Sequence, residues 1–298
     1  MNDVQLATLK RLEGRIRELP ILPAVIISLL VLDPADPGYF DHVVSYVNGD
    51  PGFAARLLQY ANSAAMAPPK PITTINSALI RVGARGAVEL IVAHSAARIF
   101  LPRKEWERGL WVHATLVGWM MRSLSPLLAG ERANPDAAYL FGLLHDIGRF
   151  VLYLEAPDDL RAVDETDWDS PEALVQAETE ICGFTHAELG YLALRKWSLP
   201  DALALAVRYH HTTPFPPPGF PAEYVGISGL LHDADWLAVS IARAGLREVA
   251  AQPDLIGAML EKRKFAVELH ATPVMVQKTV LVALQEAMRN LYLLNITY

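Results

Sequence analysis

Phe141-Gly-Leu-Leu-His-Asp-Ile-Gly-Arg149 is the stretch on which the reading of this chain turns. Leu143, Leu144 and Ile147 make it apolar and helix-like, yet His145 and Asp146 sit in its middle. A carboxylate in so apolar a run is costly unless it is paired or bound to a cation. Adjacent residues of a helix project about 100° apart, so an ion lying between those directions reaches both side chains.

Working outward, further possible ligands flank the pair: His113, then His186, the adjacent His210 and His211, and Asp235. Neutral imidazoles and carboxylates suit a divalent transition metal, and such a mixed set admits iron, manganese, zinc or nickel. The expectation is one or two ions held inside a helix bundle. Each member also has a plainer reading. A lone histidine in an apolar helix is ordinarily a satisfied core residue, and the alternative for the histidine pair before a proline-rich loop is a loop-edge surface pair. Asp233 and His232 compete with Asp235 within Leu230-Leu-His-Asp-Ala-Asp-Trp-Leu-Ala238. His42 and His94 stand isolated and read as surface or core residues.

Apolar residues recur at helical spacing almost throughout. Phe53, Leu57, Leu58 and Ala61 form one stripe; Val88, Ile91, Val92 and Ser95 another; Leu189, Leu192, Ala193 and Trp197 a third. Met275, Thr279, Val282, Ala283 and Ala287 predict an apolar face near the C-terminus. Alternating stretches are scarce, so the fold class is all-α, a multi-helix bundle. Helix limits are marked by Leu19–Pro23, Asp33–Gly38, Asp50-Pro51, Ala67–Pro71, Asn134-Pro135, Ser170-Pro171 and Ser198–Asp201. Thr74 or Asn76 caps the helix that follows the Ala67–Pro71 loop. Thr213–Pro221 is too proline-rich for helix and predicts an extended, polyproline-like segment.

At 298 residues and 52% hydrophobic, the chain can bury a sizeable core. A soft boundary falls near residue 102. Residues 1–102 hold no plausible ligand set, residues 103–245 hold every member of the cluster, and residues 246–298 read as terminal helices packing on the bundle. A net charge of −7 argues against general attraction to nucleic acid. The basic residues Arg81, Arg85, Arg98, Arg103, Lys104 and Arg108 read as solvated helix faces. Glu155 to Glu180 carries ten acidic residues against Arg161 alone, which predicts an exposed loop or face. The single cysteine, Cys182, excludes an internal disulfide and reads as a buried, inert thiol. The N-terminus lacks a secretion pattern and the run Ile21 to Leu32 is too short to span a bilayer, so the expected location is the cytoplasm, with no membrane partner.

From about Leu19 to Ala244 the chain resembles an HDOD domain, a signalling relative of the HD phosphohydrolase superfamily. The resemblance rests on Leu19-Pro-Ile-Leu-Pro23, Asp50-Pro-Gly-Phe-Ala-Ala-Arg-Leu-Leu58, Ala61-Asn-Ser63 and Ile72–Leu79 in the N-terminal part. Leu143–Arg149, Gly183–Gly190, Trp197-Ser-Leu-Pro200 and Tyr209-His-His211 carry it further. The same superfamily includes HD-GYP enzymes, which hydrolyse cyclic dinucleotides at two- or three-metal sites. Carried over, their ligands fall on His113, His145, Asp146, His186, His210, His211 and Asp235. Arg149, where those enzymes carry Lys, is the implied phosphate- or substrate-binding residue.

The resemblance implies two alternatives. One is a bacterial-type regulator that docks to other signalling proteins and keeps a metal site, with a phosphate-containing ligand as a further partner. The other is a metal-dependent phosphodiesterase in which two ions about 3.5–4 Å apart share Asp146. The Gly-Tyr-Pro signature survives only as Gly219-Phe-Pro221, and Thr212 and Thr213 replace the acidic residue and Asp-Gly steps after the histidine pair. Those losses concern the grip on a substrate, which favours the regulator.

Overall fold

A computed structural model describes residues 37–49, 51–62, 66, 68, 70–99, 105–129, 135–166, 168, 170–197, 199–263, 265–293 and 296. They form two compact units, one within Pro20–Leu101 and one within Pro102–Tyr298. Among the described residues there is no strand; one isolated bridge pairs Leu128 with Leu269. The helix limit expected at Leu19–Pro23 lies outside them.

The first unit contains α1 (Tyr39–Gly49), α2 (Pro51–Ala61) and α3 (Ile75–Ile99). Phe53, Leu57 and Ala61 are fully buried, one turn apart on the inward face of α2, whereas Leu58 is only partly covered. Asn62 then fixes the following loop: its amide donates to the carbonyls of Leu58 and Ile72 at 2.8 Å, and its oxygen accepts from Ile72 N–H at 2.7 Å. Thr74, not Asn76, caps α3 by accepting from Ser77 N–H. The helix is kinked at Gly83, whose φ of +80 suits glycine alone. His42 is exposed, as is Arg81. The side chains of Ile91, Val92, His94, Ser95, Arg85, Arg98, Arg103 and Lys104 lie outside the described set.

The second unit runs through α4 (Glu105–Leu124), α5 (Pro135–Leu144), α6 (Ile147–Glu155), α7 (Pro157–Asp164), α8 (Pro171–Cys182), α9 (His186–Lys196) and α10 (Asp201–Tyr209). It continues through α11 (Val225–Ala244), α12 (Leu246–Ala251), α13 (Asp254–Lys262) and α14 (Pro273–Leu293). α4 is buried on most sides through Trp111, Leu116, Val117, Met120 and Met121, as expected of a central helix. It packs on α5 and α14. The α4–α5 crossing is close because two glycines meet there: a Cβ on Gly142 would stand 2.6 Å from Gly118 Cα.

Four local expectations are corrected. His145 and Asp146 are not within a continuous helix; they form a turn between α5 and α6. The apolar run Ala137–Glu155, long and apolar enough by composition to cross a bilayer, is therefore broken at its middle and mostly buried in the unit's core. The buried face of α14 is Val276, Val280, Ala283, Leu284, Ala287 and Leu291, while Met275 and Val282 point outward at about half exposure. The segment after His211 folds back instead of running extended. Its Thr213–Pro214 and Phe215–Pro216 bonds are cis, and Phe215 stacks on His232 and meets the edge of Phe220. Within the acidic stretch, Glu178 is fully buried, against the expectation of a solvated face.

Candidate metal centre

All seven candidate ligands lie in the second unit and converge. His113 comes from α4, and His145 and Asp146 from the α5–α6 turn. His186 opens α9, His210 and His211 follow α10, and Asp235 lies on α11.

The turn owes its position to Gly148. A Cβ there would lie 2.0 Å from the carbonyl oxygen of His186, so only glycine lets α6 begin against the start of α9. Thr185 caps α9, accepting from Glu188 N–H, while the Glu188 carboxylate accepts from Thr185 N–H. This capping box sets the first residue of the helix, His186, toward the turn.

The ligand atoms form two groups, each with members within 4.8 Å of one another. The inner group is Asp146, His186, His210 and His211; the outer group is His113, His145 and Asp235. In the inner group His186 Nε2 stands 3.1 Å from Asp146 Oδ1, 3.2 Å from His210 Nε2 and 3.0 Å from His211 Nε2. In the outer group His113 Nε2 stands 2.9 Å from Asp235 Oδ1 and 3.2 Å from His145 Nε2. Asp146 joins the two, its Oδ2 being 3.7 Å from His113 Nε2. Ligands bound at about 2.0–2.2 Å in tetrahedral or octahedral array are separated by about 3.0–3.5 Å, the spacing seen here.

The donor set fits a cation. Nδ1–H of His145 donates to the Gly142 carbonyl at 2.7 Å, and Nδ1–H of His210 to the Val207 carbonyl at 2.6 Å. His186 Nδ1–H donates to the Glu178 carboxylate at 2.7 Å, and His186 N–H donates to it at 2.8 Å. Each Nε2 is thereby turned into the centre, and those of His186 and His210 face one another. Asp146 Oδ1 and His211 Nδ1 are buried without a hydrogen bond. Ring nitrogens and an unpartnered carboxylate oxygen so close together need a proton or a metal ion among them.

The electrostatics agree. Burial opposes the charge of Asp146, but the imidazoles of His145 and His186 more than offset it and hold the carboxyl well below the usual range. Asp235 is likewise held low against burial by His113 and His145. Burial keeps His210 and His211 neutral, pushing both below the ordinary imidazole value. For His186 burial is outweighed by Glu178 and Asp146, which raise it to about 10.

Of the two competing carboxylates, Asp235 joins the cluster and Asp233 points away from it. Asp233 Oδ2 accepts from Ala266 N–H at 2.7 Å and Val267 N–H at 3.4 Å, away from the cluster. His232 supports the centre indirectly, donating from Nδ1 to the His210 carbonyl at 2.6 Å. Sequence reasoning missed Glu178. Its signal was position: it lies four residues after Leu174 and four before Cys182, on the buried stripe of α8.

A cavity of about 360 Å³ opens onto His113, Asp146 and Asp235 and is also lined by Arg149, Trp168 and Arg243. Arg149 is buried and paired with Asp164, its guanidinium lying 5.8 Å from the Trp168 ring centroid. Burial disfavours its charge, but Asp164, Asp146 and Glu178 prevail and strengthen it.

The sequence pattern of the HDOD domain matches residues 19–213. An uncharacterized protein of Treponema pallidum (strain Nichols) is 26% identical over 218 residues, which is 72% of this chain and 42% of that protein. The chain thus spans less than half the length of that curated relative. An HDOD domain protein with unknown function from Geobacter sulfurreducens has the same fold, with a TM-score of 0.66 at 22% identity over 92% of this chain and 96% of the other. A candidate phosphohydrolase of Shewanella amazonensis SB2B follows at 0.64 and 21% identity, covering 93% and 97%.

Proposed function

The chain belongs to the HDOD family, and from that premise we propose that it is a signal-transduction module acting by protein–protein contact around a retained divalent metal centre. His113, His145, Asp146, His186, His210, His211 and Asp235 hold the ions, and iron, manganese, zinc and nickel all suit the donors. The observation that carries the regulatory reading is the state of Arg149. The cation implied to meet a phosphate is buried and already paired with Asp164, so a substrate phosphoryl group would have to displace a carboxylate to reach it. The metal then ties α4, α9, α10 and α11 to the α5–α6 turn, and partner proteins read the surface so fixed.

A hydrolase reading is favoured by one feature, the cavity that reaches His113, Asp146 and Asp235. In that reading a divalent ion supplies Lewis acidity to a phosphoryl oxygen. Arg149 would orient the phosphate, and the apolar wall around Leu110, Leu174 and Val239 would exclude water from the bond to be broken.

The test loads purified protein with iron or manganese and offers bis(p-nitrophenyl) phosphate, with elemental analysis on the same sample. Metal present without turnover, and partner capture surviving Asp146→Ala, is the expected result. Turnover lost in Asp146→Ala would replace the regulator with the enzyme. Absence of metal, repeated with each ion, would remove the centre from both readings.

A further inference from the structure

The cavity touches only one side of the centre. His113 and Asp235 of the outer group and the shared Asp146 line it; His145 and the three inner histidines, His186, His210 and His211, do not. The side chain of His113 is 17% exposed, against 8% for His211 and 0% for His145, His186 and His210.

Anchoring is firmest at His186 and His210, whereas His211 Nδ1 has no hydrogen bond. His186 is held by two contacts to a buried carboxylate, and His210 by a backbone carbonyl. The carbonyl of His210 is itself held by His232. In the outer group His145 has such an anchor, but among the described residues none holds His113 Nδ1.

Resting on the metal-centre reading above, we infer that the two half-sites are unequal: the inner ion is a retained structural ion, and the outer ion exchanges through the cavity. Occupancy of the outer half, set by free divalent cation, is then the variable input of the module. Its loss frees α4 and α11 from the α5–α6 turn while α9 and α10 stay tied to it. Hydrogen bonds from outside the first ligands change metal affinity about 10–100-fold, so the two off-rates differ by about tenfold or more.

The full chain, loaded with zinc to saturation, is mixed with a chromophoric chelator, and release is followed with thermal melting at each stage. Two phases are expected, the first taking one ion with little change in melting temperature and the second lowering it. His113→Ala, or His113→Gln should the alanine variant misfold, abolishes the fast phase and keeps the slow one. Release of both ions in one phase overturns the inference, as does loss of the slow phase in either His113 variant. A chain that binds no zinc, iron or manganese overturns the metal centre itself, a result distinct from two equal ions.

Discussion

The inner and outer halves of the centre are built from the same residue types but assembled at different ranges. His186, His210 and His211 fall within one short stretch, on α9 and the end of α10, two helices that pack directly on each other. His113 and Asp235 lie on α4 and α11, far apart in sequence, and meet only when those helices pack. A locally built wall can be fully enclosed and buttressed, as Glu178 and His232 do here. A wall closed by distant helices depends on their approach and is where an opening remains. Metal sites inherit these differences as differences in retention.

The largest effect is expected where the halves join. Asp146 faces both groups, with Oδ1 toward His186 and Oδ2 toward His113. Asp146→Ala removes that bridge, and metal content should fall from about two equivalents to near none by elemental analysis. A variant that loses one ion and keeps the other would show that the halves are independent.

Glu178→Gln separates them. The substitution keeps the shape of the contact to His186 but removes the charge that strengthens the imidazole. Loss of such a partner weakens metal affinity about 10–100-fold. The expected loss is confined to the slowly released ion in competition with a chelator. Equal weakening of both ions would mean that the centre responds as one body.

The third expectation concerns pH. Glu178 and Asp146 raise His186 to about 10, so without metal it is protonated at neutral pH. A ligand nitrogen must be bare, so binding of the inner ion displaces that proton. Affinity should therefore rise with pH, about tenfold per unit between 7 and 9, and level above the raised value. Metal titration of His113→Ala, which isolates the inner half, measures the slope. A flat profile would mean that His186 is already neutral in the metal-free chain.

How much of this was legible depends on the kind of signal. His145 and Asp146 were visible because charge and imidazole in an apolar run need a reason, and burial supplies none without a partner. The helical class was visible because the spacing of Phe53, Leu57 and Ala61 has one geometric meaning. The turn at His145–Asp146 was not, since it arises from the close approach of Gly148 to the His186 backbone, a contact between segments far apart in sequence. Glu178 was lost among ten acidic residues because its burial depends on which face of α8 turns inward. The face of α14 was misread for the same reason: Met275 and Val282 are apolar but stand off the stripe that meets α4. Arg149 lines the cavity beside the cluster, but its pairing with Asp164 is a tertiary contact that no local pattern announces.

The smallest effect belongs to Asp233, two residues from a ligand on the same helix. Its carboxylate holds the backbone N–H groups of Ala266 and Val267. Asp233→Ala would leave those donors without an acceptor in a partly buried place, at a cost of about 1–3 kcal/mol by chemical denaturation. Asp233→Asn retains an oxygen acceptor and should recover most of that loss. Because Asp233 contacts neither ligand group, the inner ion should be released at its native rate in both variants. α11 supplies Asp235 to the outer half directly and touches the inner half only through His232 at the His210 backbone, so slackening of its seat is felt first by the outer half. Faster release of the first ion in Asp233→Ala, restored in Asp233→Asn, would locate the difference between the halves in the seating of a distant helix. An altered second phase would place it instead in the ligands themselves.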